Sequence, residues 1–234
     1  MADSGSDVLT QRNVFIVPFI QPSPQAPDGF EERFNAYWEA ADQQVSALEA
    51  RAGVVKRIFT EGVIGKGDDA LLMLEQTNRK AWQLVKSRVD AGARFDEYED
   101  AELFGEVVDW GRCMSVGFVT QGVAGAVSAS YQDAAMRRQR HLDQRLSEGL
   151  QPGESTLILS GTTDLSLPDG VEKFLVSPPE LDALERWIRQ VNEAARRQAE
   201  AAAQAQAAGQ SAPTSPSEPE QGGSSSGLWT PGSN

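Results

Sequence analysis

Cysteine and histidine each occur once in this chain of 234 residues. A lone thiol excludes an internal disulfide framework. One Cys and one His also fall short of the ligands that a usual tetrahedral zinc site needs. Positive charge is scarce as well: 21 Lys and Arg stand against 34 Asp and Glu, a formal net charge of −13. Phosphate backbones are bound by clustered Lys and Arg, so this balance argues against nucleic acid as a partner. No apolar run approaches the ~18 residues that a membrane span requires. The opening residues, Met1-Ala2-Asp3-Ser4-Gly5-Ser6-Asp7, lack the basic and apolar segments of a signal peptide. These absences predict a soluble, cytoplasmic protein.

What is present changes character near Arg197. Residues 198–234 contain no Val, Ile, Phe or Tyr, and their large apolar residues are Leu228 and Trp229. Such a composition buries too little surface to offset the entropy of ordering. The organisation predicted is therefore a flexible start at 1–12 and one folded domain at 13–197. A disordered Ala/Gln/Ser/Pro/Gly linker at 198–226 and an end peptide at 227–234 follow. The tail carries three acids (Glu200, Glu218, Glu220) and no base, which leaves 31 acids, 21 bases and a net −10 to the rest. The acidity thus belongs mainly to the domain.

Within the domain, the run Asn13-Val-Phe-Ile-Val-Pro-Phe-Ile20 reads as a strand buried on both faces, with Pro18 at its end. Further strands are predicted at 54–63, 93–98, 155–160 and 172–177. Between them, Phe30, Phe34, Trp38, Ala41, Val45 and Leu48 recur at helical spacing after an Asp28/Glu31 capping box. Asp68, Asn78 and Asp100 open further helices, and the last of these carries Leu103, Val107, Trp110 and Met114. Cys113 falls in the same helix and reads as a buried thiol. A longer helix runs over 122–150 with Val123, Val127, Tyr131, Leu142 and Leu146 on its stripe. A final helix from Pro178 carries Leu181, Leu184, Trp187, Ile188 and Val191. Tyr37, Trp38, Trp82, Trp110 and Trp187 all fit apolar stripes and read as core. This alternation predicts a single α/β domain with a mixed, mostly parallel sheet of about five strands flanked by helices, followed by the disordered tail.

Three stretches carry chemically suggestive residues. Gly62-Val-Ile-Gly-Lys66-Gly67 stands between a strand and a helix, as a phosphate-cradling loop would. Its spacing is not that of a P-loop, and Asp68 and Asp69 occupy the helix start, so a structural turn is the simpler reading. The acid run Asp96-Glu97-Tyr98-Glu99-Asp100-Ala101-Glu102 reads either as a solvated edge or as oxygen ligands for a hard cation. The basic concentration Arg137, Arg138, Arg140, His141 and Arg145 lies on one helix. Arg137, His141 and Arg145 stack at four-residue spacing. This face suits an acidic partner, or it balances the protein's own carboxylates.

The strand ends follow an order with a precedent. The first strand runs out as Val17-Pro18-Phe19-Ile20-Gln21 and the second as Arg57-Ile58-Phe59-Thr60-Glu61-Gly62. A late helix carries Arg138 and Arg140, and the next strand ends Leu159-Ser160-Gly161-Thr162-Thr163-Asp164. Over residues 13–177 this layout resembles the TraB, Tiki and ChaN-like proteins, with erythromycin esterase as a further relative. The resemblance implies a His at the first strand end, a Glu at the second, an Arg on the late helix and a second His after the following strand. Glu61 and the late-helix Arg residues match. Gln21 and Thr162 or Thr163 stand where the imidazoles would be. Gln and Thr are poor divalent-metal ligands and do not titrate near neutrality, so the resemblance implies a catalytically degenerate copy.

Two functional expectations result. The first is a non-catalytic α/β interaction protein without a cofactor. It would dock to a protein partner through the Leu228–Trp229 peptide, the Arg137, Arg138 and Arg145 face, or both. The second is a hydrolase of the TraB/Tiki/ChaN kind. It would use Glu61, Arg140, His141 and the 96–102 carboxylates with Mg²⁺ or Mn²⁺, and it requires Gln21, Glu61 and Thr162 at neighbouring strand ends.

Overall fold

The apolar run near the start forms β1 (Arg12–Pro18) in the computed structural model, which describes residues 11–210, the side chains of 205–210 apart. Expectations placed on 1–10 and on 211–234, Leu228 and Trp229 included, lie outside the described residues. The remaining elements are α1 (Phe30–Ala52), β2 (Val55–Thr60), α2 (Gly67–Thr77), α3 (Arg79–Asp90), β3 (Arg94–Phe95), α4 (Ala101–Val116), α5 (Gln121–Gly149), β4 (Ser155–Ser160), β5 (Val171–Leu175) and α6 (Pro179–Gln210). The strands form one sheet in the order β3-β2-β4-β1-β5, and every pairing is parallel. This is the predicted α/β class, with no antiparallel pair among the described strands. The described residues divide into two units, one up to Arg189 and one from Gln190.

In the first unit, strand periodicity divides the core into two layers. Phe15, Val17, Ile58, Leu157 and Leu159 face α1, α2, α3 and the start of α6, where they meet Tyr37, Trp38, Leu74, Leu84 and Leu184. Val14, Ile16, Phe59 and Ile158 face the other way, against Leu142, Leu146 and Leu150 at the end of α5 and against Leu165. Leu165 belongs to the 161–170 segment that joins β4 to β5. That segment carries the parallel crossover without a helix, so it serves as an extended strap over the sheet face. Asn78 and Asp100 cap α3 and α4 through Ala81 N and through Glu102 N and Leu103 N, as predicted. The Asp28/Glu31 box does not form. Gly29 is the N-cap residue of α1 at φ +89°, and Arg33 Nη1 donates to its carbonyl at 2.8 Å.

The two faces are covered unequally. At 1.5 Å per residue the 29 residues of α5 run about 44 Å. The six residues of β4 span about 20 Å. The last turns of α5 lie on the sheet, and its first half overhangs. α4 packs against that overhang, so its stripe is only half-buried and no α4 residue is fully buried. This corrects the core assignments there. Trp110 is half-buried, Met114 and Val123 are exposed, and Cys113 is an exposed thiol. Trp82 and Trp187 are also half-buried, whereas Tyr37 and Trp38 are core.

In the second unit, α6 continues through Gln198 to Gln210, inside the segment read as linker. Ala and Gln are strong helix formers. Arg196–Glu200 and Arg197–Glu193 pair at four-residue spacing along it.

The covering of the second face depends on one close approach. A Cβ placed on Gly149 would lie 2.5 Å from Phe59 Cζ. Gly149→Ala should therefore destabilise the protein by about 1–3 kcal/mol in denaturant unfolding. Adding Phe59→Leu, which removes the blocking ring edge, should return part of that loss.

Candidate functional site

Glu61 is the first residue past β2, and β2, β4 and β1 are neighbours in the sheet. The carboxyl ends of these strands therefore bring Glu61, Ser160-Gly161-Thr162 and the segment leading to Gln21 together, where parallel sheets place their sites. Glu61 Oε1 accepts from Arg138 Nη2 at 3.0 Å, and Oε2 accepts from Ser160 Oγ and Gly161 N, both at 2.8 Å. The Ser160 hydroxyl also accepts from Thr162 N at 3.2 Å.

Arg138 reaches the sheet edge from α5 and bridges two acids. Its Nε donates to Glu99 Oε2 at 2.9 Å, and its Nη2 also bonds Glu99 Oε1. Glu99 is completely buried and takes a further bond from Gly62 N at 2.7 Å. Gly62 holds φ +74° to present that N–H. The guanidinium lies over the Phe104 ring, 5.4 Å from its centroid. Burial opposes ionisation of Glu61, but the Gly161 N–H, the Ser160 hydroxyl and Arg138 outweigh it and hold the carboxyl below its ordinary 4.5. Burial likewise works against the Arg138 charge, and Glu99 and Glu61 reverse that, raising its pKa. Tyr98 beside them is pushed up, first by burial and then by the charges of Glu61, Glu99 and Asp143.

Arg138, rather than Arg140 or His141, is thus the base that meets Glu61. Arg140 is exposed, and its Nε donates within its own helix to Met136 O at 3.4 Å. His141 is half-buried, and its Nε2 has no hydrogen-bond partner among the described residues. Gln21 is exposed, and so is Thr162. The acid run is a solvated edge only at Glu97 and Glu102, which are exposed. Asp96 pairs with Arg57 at 2.6 Å, Glu99 is buried, and Asp100 is a helix cap. Among the described residues, no group of three or more His, Cys, Asp or Glu could hold a metal ion.

The remaining arginines of the basic face are likewise engaged. Arg137 pairs with Glu106 at 2.6 Å and with Asp133 at 2.9 Å. Arg145 donates to the Glu97 carbonyl at 2.8 and 3.1 Å. This face balances the protein's own acids.

A different surface stands open. From Cys113 to Gln132 there are 20 consecutive residues without a charge, although a quarter of the chain is charged (24%). They form the end of α4, the turn and the overhanging start of α5. Met114, Val116, Phe118, Val119 and Val123 are all exposed there. Val116 is 83% accessible and Val119 fully so. The half-buried Leu103, Phe104, Val107, Val108 and Trp110 continue the apolar surface down α4. Contiguous exposed apolar surface of this kind marks interaction sites. The uncharged stretch is visible in the sequence, but helical spacing alone makes its Cys113, Met114, Val123, Val127 and Tyr131 read as an apolar stripe and says nothing of Val116, Phe118 and Val119.

No family model matches the chain, and no curated protein or solved structure matches it.

Removing Arg138 leaves the buried Glu99 without its counter-charge, so Arg138→Met should cost ~3–5 kcal/mol in chemical unfolding. Adding Glu99→Gln to it should recover a large part. Glu61 contributes stability that is present above the ordinary carboxylate range and is lost as pH falls through its lowered folded value. The stability gap between wild type and Glu61→Gln should therefore be widest near neutral pH, narrow as pH falls past the ordinary carboxylate value, and close once pH is below the lowered folded value.

Proposed function

We propose that the protein is a non-catalytic interaction protein whose working surface is the α4–α5 hairpin. The observation that carries this reading is the exposed, uncharged apolar end of that hairpin, built on Val116, Phe118, Val119 and Val123. The closure of the strand-end cluster supports it from the other side. Both oxygens of Glu61 are taken by Arg138, Ser160 and Gly161, which leaves no poised carboxylate. The paired state of Arg137, Arg138 and Arg145 makes the basic face a weaker docking candidate than the hairpin. Docking through Leu228 and Trp229 remains compatible with the reading as a second contact, because one Trp on a tether can anchor an interface.

The hydrolase alternative has one observation in its favour, the adjacency of the strand ends that carry Glu61 and Thr162. The donors there do not fit a hard divalent cation. Such ions take several oxygen ligands, chiefly carboxylates, carbonyls and water. Here the carboxylate is committed to Arg138, and Gln21 and Thr162 replace the implied imidazoles.

The test is recovery of native-host proteins on tagged bait, with any untagged native copy of the chain counted among them. Val116→Glu/Val119→Glu should reduce recovery at least tenfold, about 1.4 kcal/mol, whereas Glu61→Gln should leave it unchanged. Equal recovery by wild type and the double variant would overturn the assignment of the surface. Unchanged recovery after deletion of residues 222–234 would remove the tail from the account.

A further inference from the structure

We infer that the hairpin docks onto a second copy of this chain, so that two α4–α5 hairpins pack face to face as four helices. This rests on the interaction reading above and names its partner.

Charge is the first argument. Each copy carries −13, and two such bodies repel wherever their acidic surfaces meet. The 113–132 stretch, with no charge at all, is where two copies can approach without placing like charges in contact. An oppositely charged partner would gain little from this patch and more from the acidic remainder of the surface.

The overhang adds a second argument. The whole of α5 exceeds the strand length by about 24 Å, which leaves roughly its first half projecting. Contact made at its end keeps two acidic domains apart by more than the ~8 Å over which charge is felt at physiological salt. A short hairpin would bring the domains within that range.

Area supplies the third. The whole α4 face, 16 residues or about 24 Å long and two helices or about 20 Å wide, offers at most roughly 500 Å², and beyond the uncharged 113–132 end it takes in Glu106 and Asp109. Two copies together would bury at most on the order of 1,000 Å², the lower limit for a specific interface. The dimer should therefore be reversible and dependent on concentration. Packing against a second hairpin would also cover the half-buried Val107, Val108 and Trp110, which α5 alone leaves partly open.

Sedimentation equilibrium of the full chain tests this, at loading concentrations from about 1 to about 100 μM, the range of weak, reversible interfaces. Dithiothreitol is included so that the exposed Cys113 thiols do not link copies. The weight-average mass should rise from monomer towards dimer across the range. Val119→Glu places a like charge on each copy at a fully exposed position and should weaken association at least tenfold. Val54→Glu, at an exposed valine between α1 and β2, should leave it unchanged. Far-UV circular dichroism should show all three proteins equally folded.

A wild-type chain that stays monomeric throughout overturns the inference, as does a Val119→Glu variant that associates like wild type. If the monomer binds neutral phosphatidylcholine vesicles and Val119→Glu does not, the patch meets lipid and the inference fails. If the monomer instead recovers a different host protein through the hairpin, the inference fails while the interaction reading stands. A monomer that recovers nothing removes both.

Discussion

The Arg138 guanidinium, held between Glu61 and Glu99, fixes the point at which the long helix α5 leaves the sheet. Below it, Leu142, Leu146 and Leu150 close one face of the core. Above it, among the described residues, α5 packs chiefly against α4. The same bonds tie the end of β2 to the end of β4 through Glu61, Ser160 and Gly161, and they tie the β3–α4 connection to the Gly62 turn through Glu99. Charges this deeply buried are tolerated only where each is paired and hydrogen-bonded. Glu99 and Arg138 each make several such bonds.

That arrangement places polar side chains where α/β proteins keep their chemistry and gives them a structural task. A carboxylate locked by an arginine, a hydroxyl and a backbone N–H is stabilised in its ionised form and offers no proton near neutrality. In the proposed reading, function falls to the part of α4 and α5 that the sheet is too short to cover. The length mismatch between α5 and the strands thus connects the fold to the proposed interaction, since it puts an apolar, uncharged hairpin end clear of an acidic body.

The alternation of elements was legible because each rests on local rules. β1 is a continuous apolar run, α1 has an apolar stripe at helical spacing, and Asn78 and Asp100 are side-chain caps. The fate of α4 was not legible. Spacing at 3.6 residues says that Leu103, Val107 and Trp110 share a side of the helix, but not whether the sheet reaches far enough to cover it. The Arg138–Glu99 pair spans 39 residues and depends on where two elements dock, which no local pattern encodes. Glu99 looked solvated because its sequence neighbours are acids, and its burial follows from the Arg138 that reaches it from α5. The adjacency of Glu61 and Thr162 followed from strand order, which required the structure. α6 extends beyond its apolar stripe because Ala and Gln favour helix without needing a core.

The central claim is that the α4–α5 hairpin is covered in the assembled protein while the strand-end cluster is an internal latch. Hydrogen–deuterium exchange, read by peptide on concentrated and diluted protein, addresses it most directly. Amides of 104–127 should exchange several-fold more slowly in the concentrated sample, with those of β2 and β4 slow in both. Identical exchange of 104–127 at both concentrations would contradict the account.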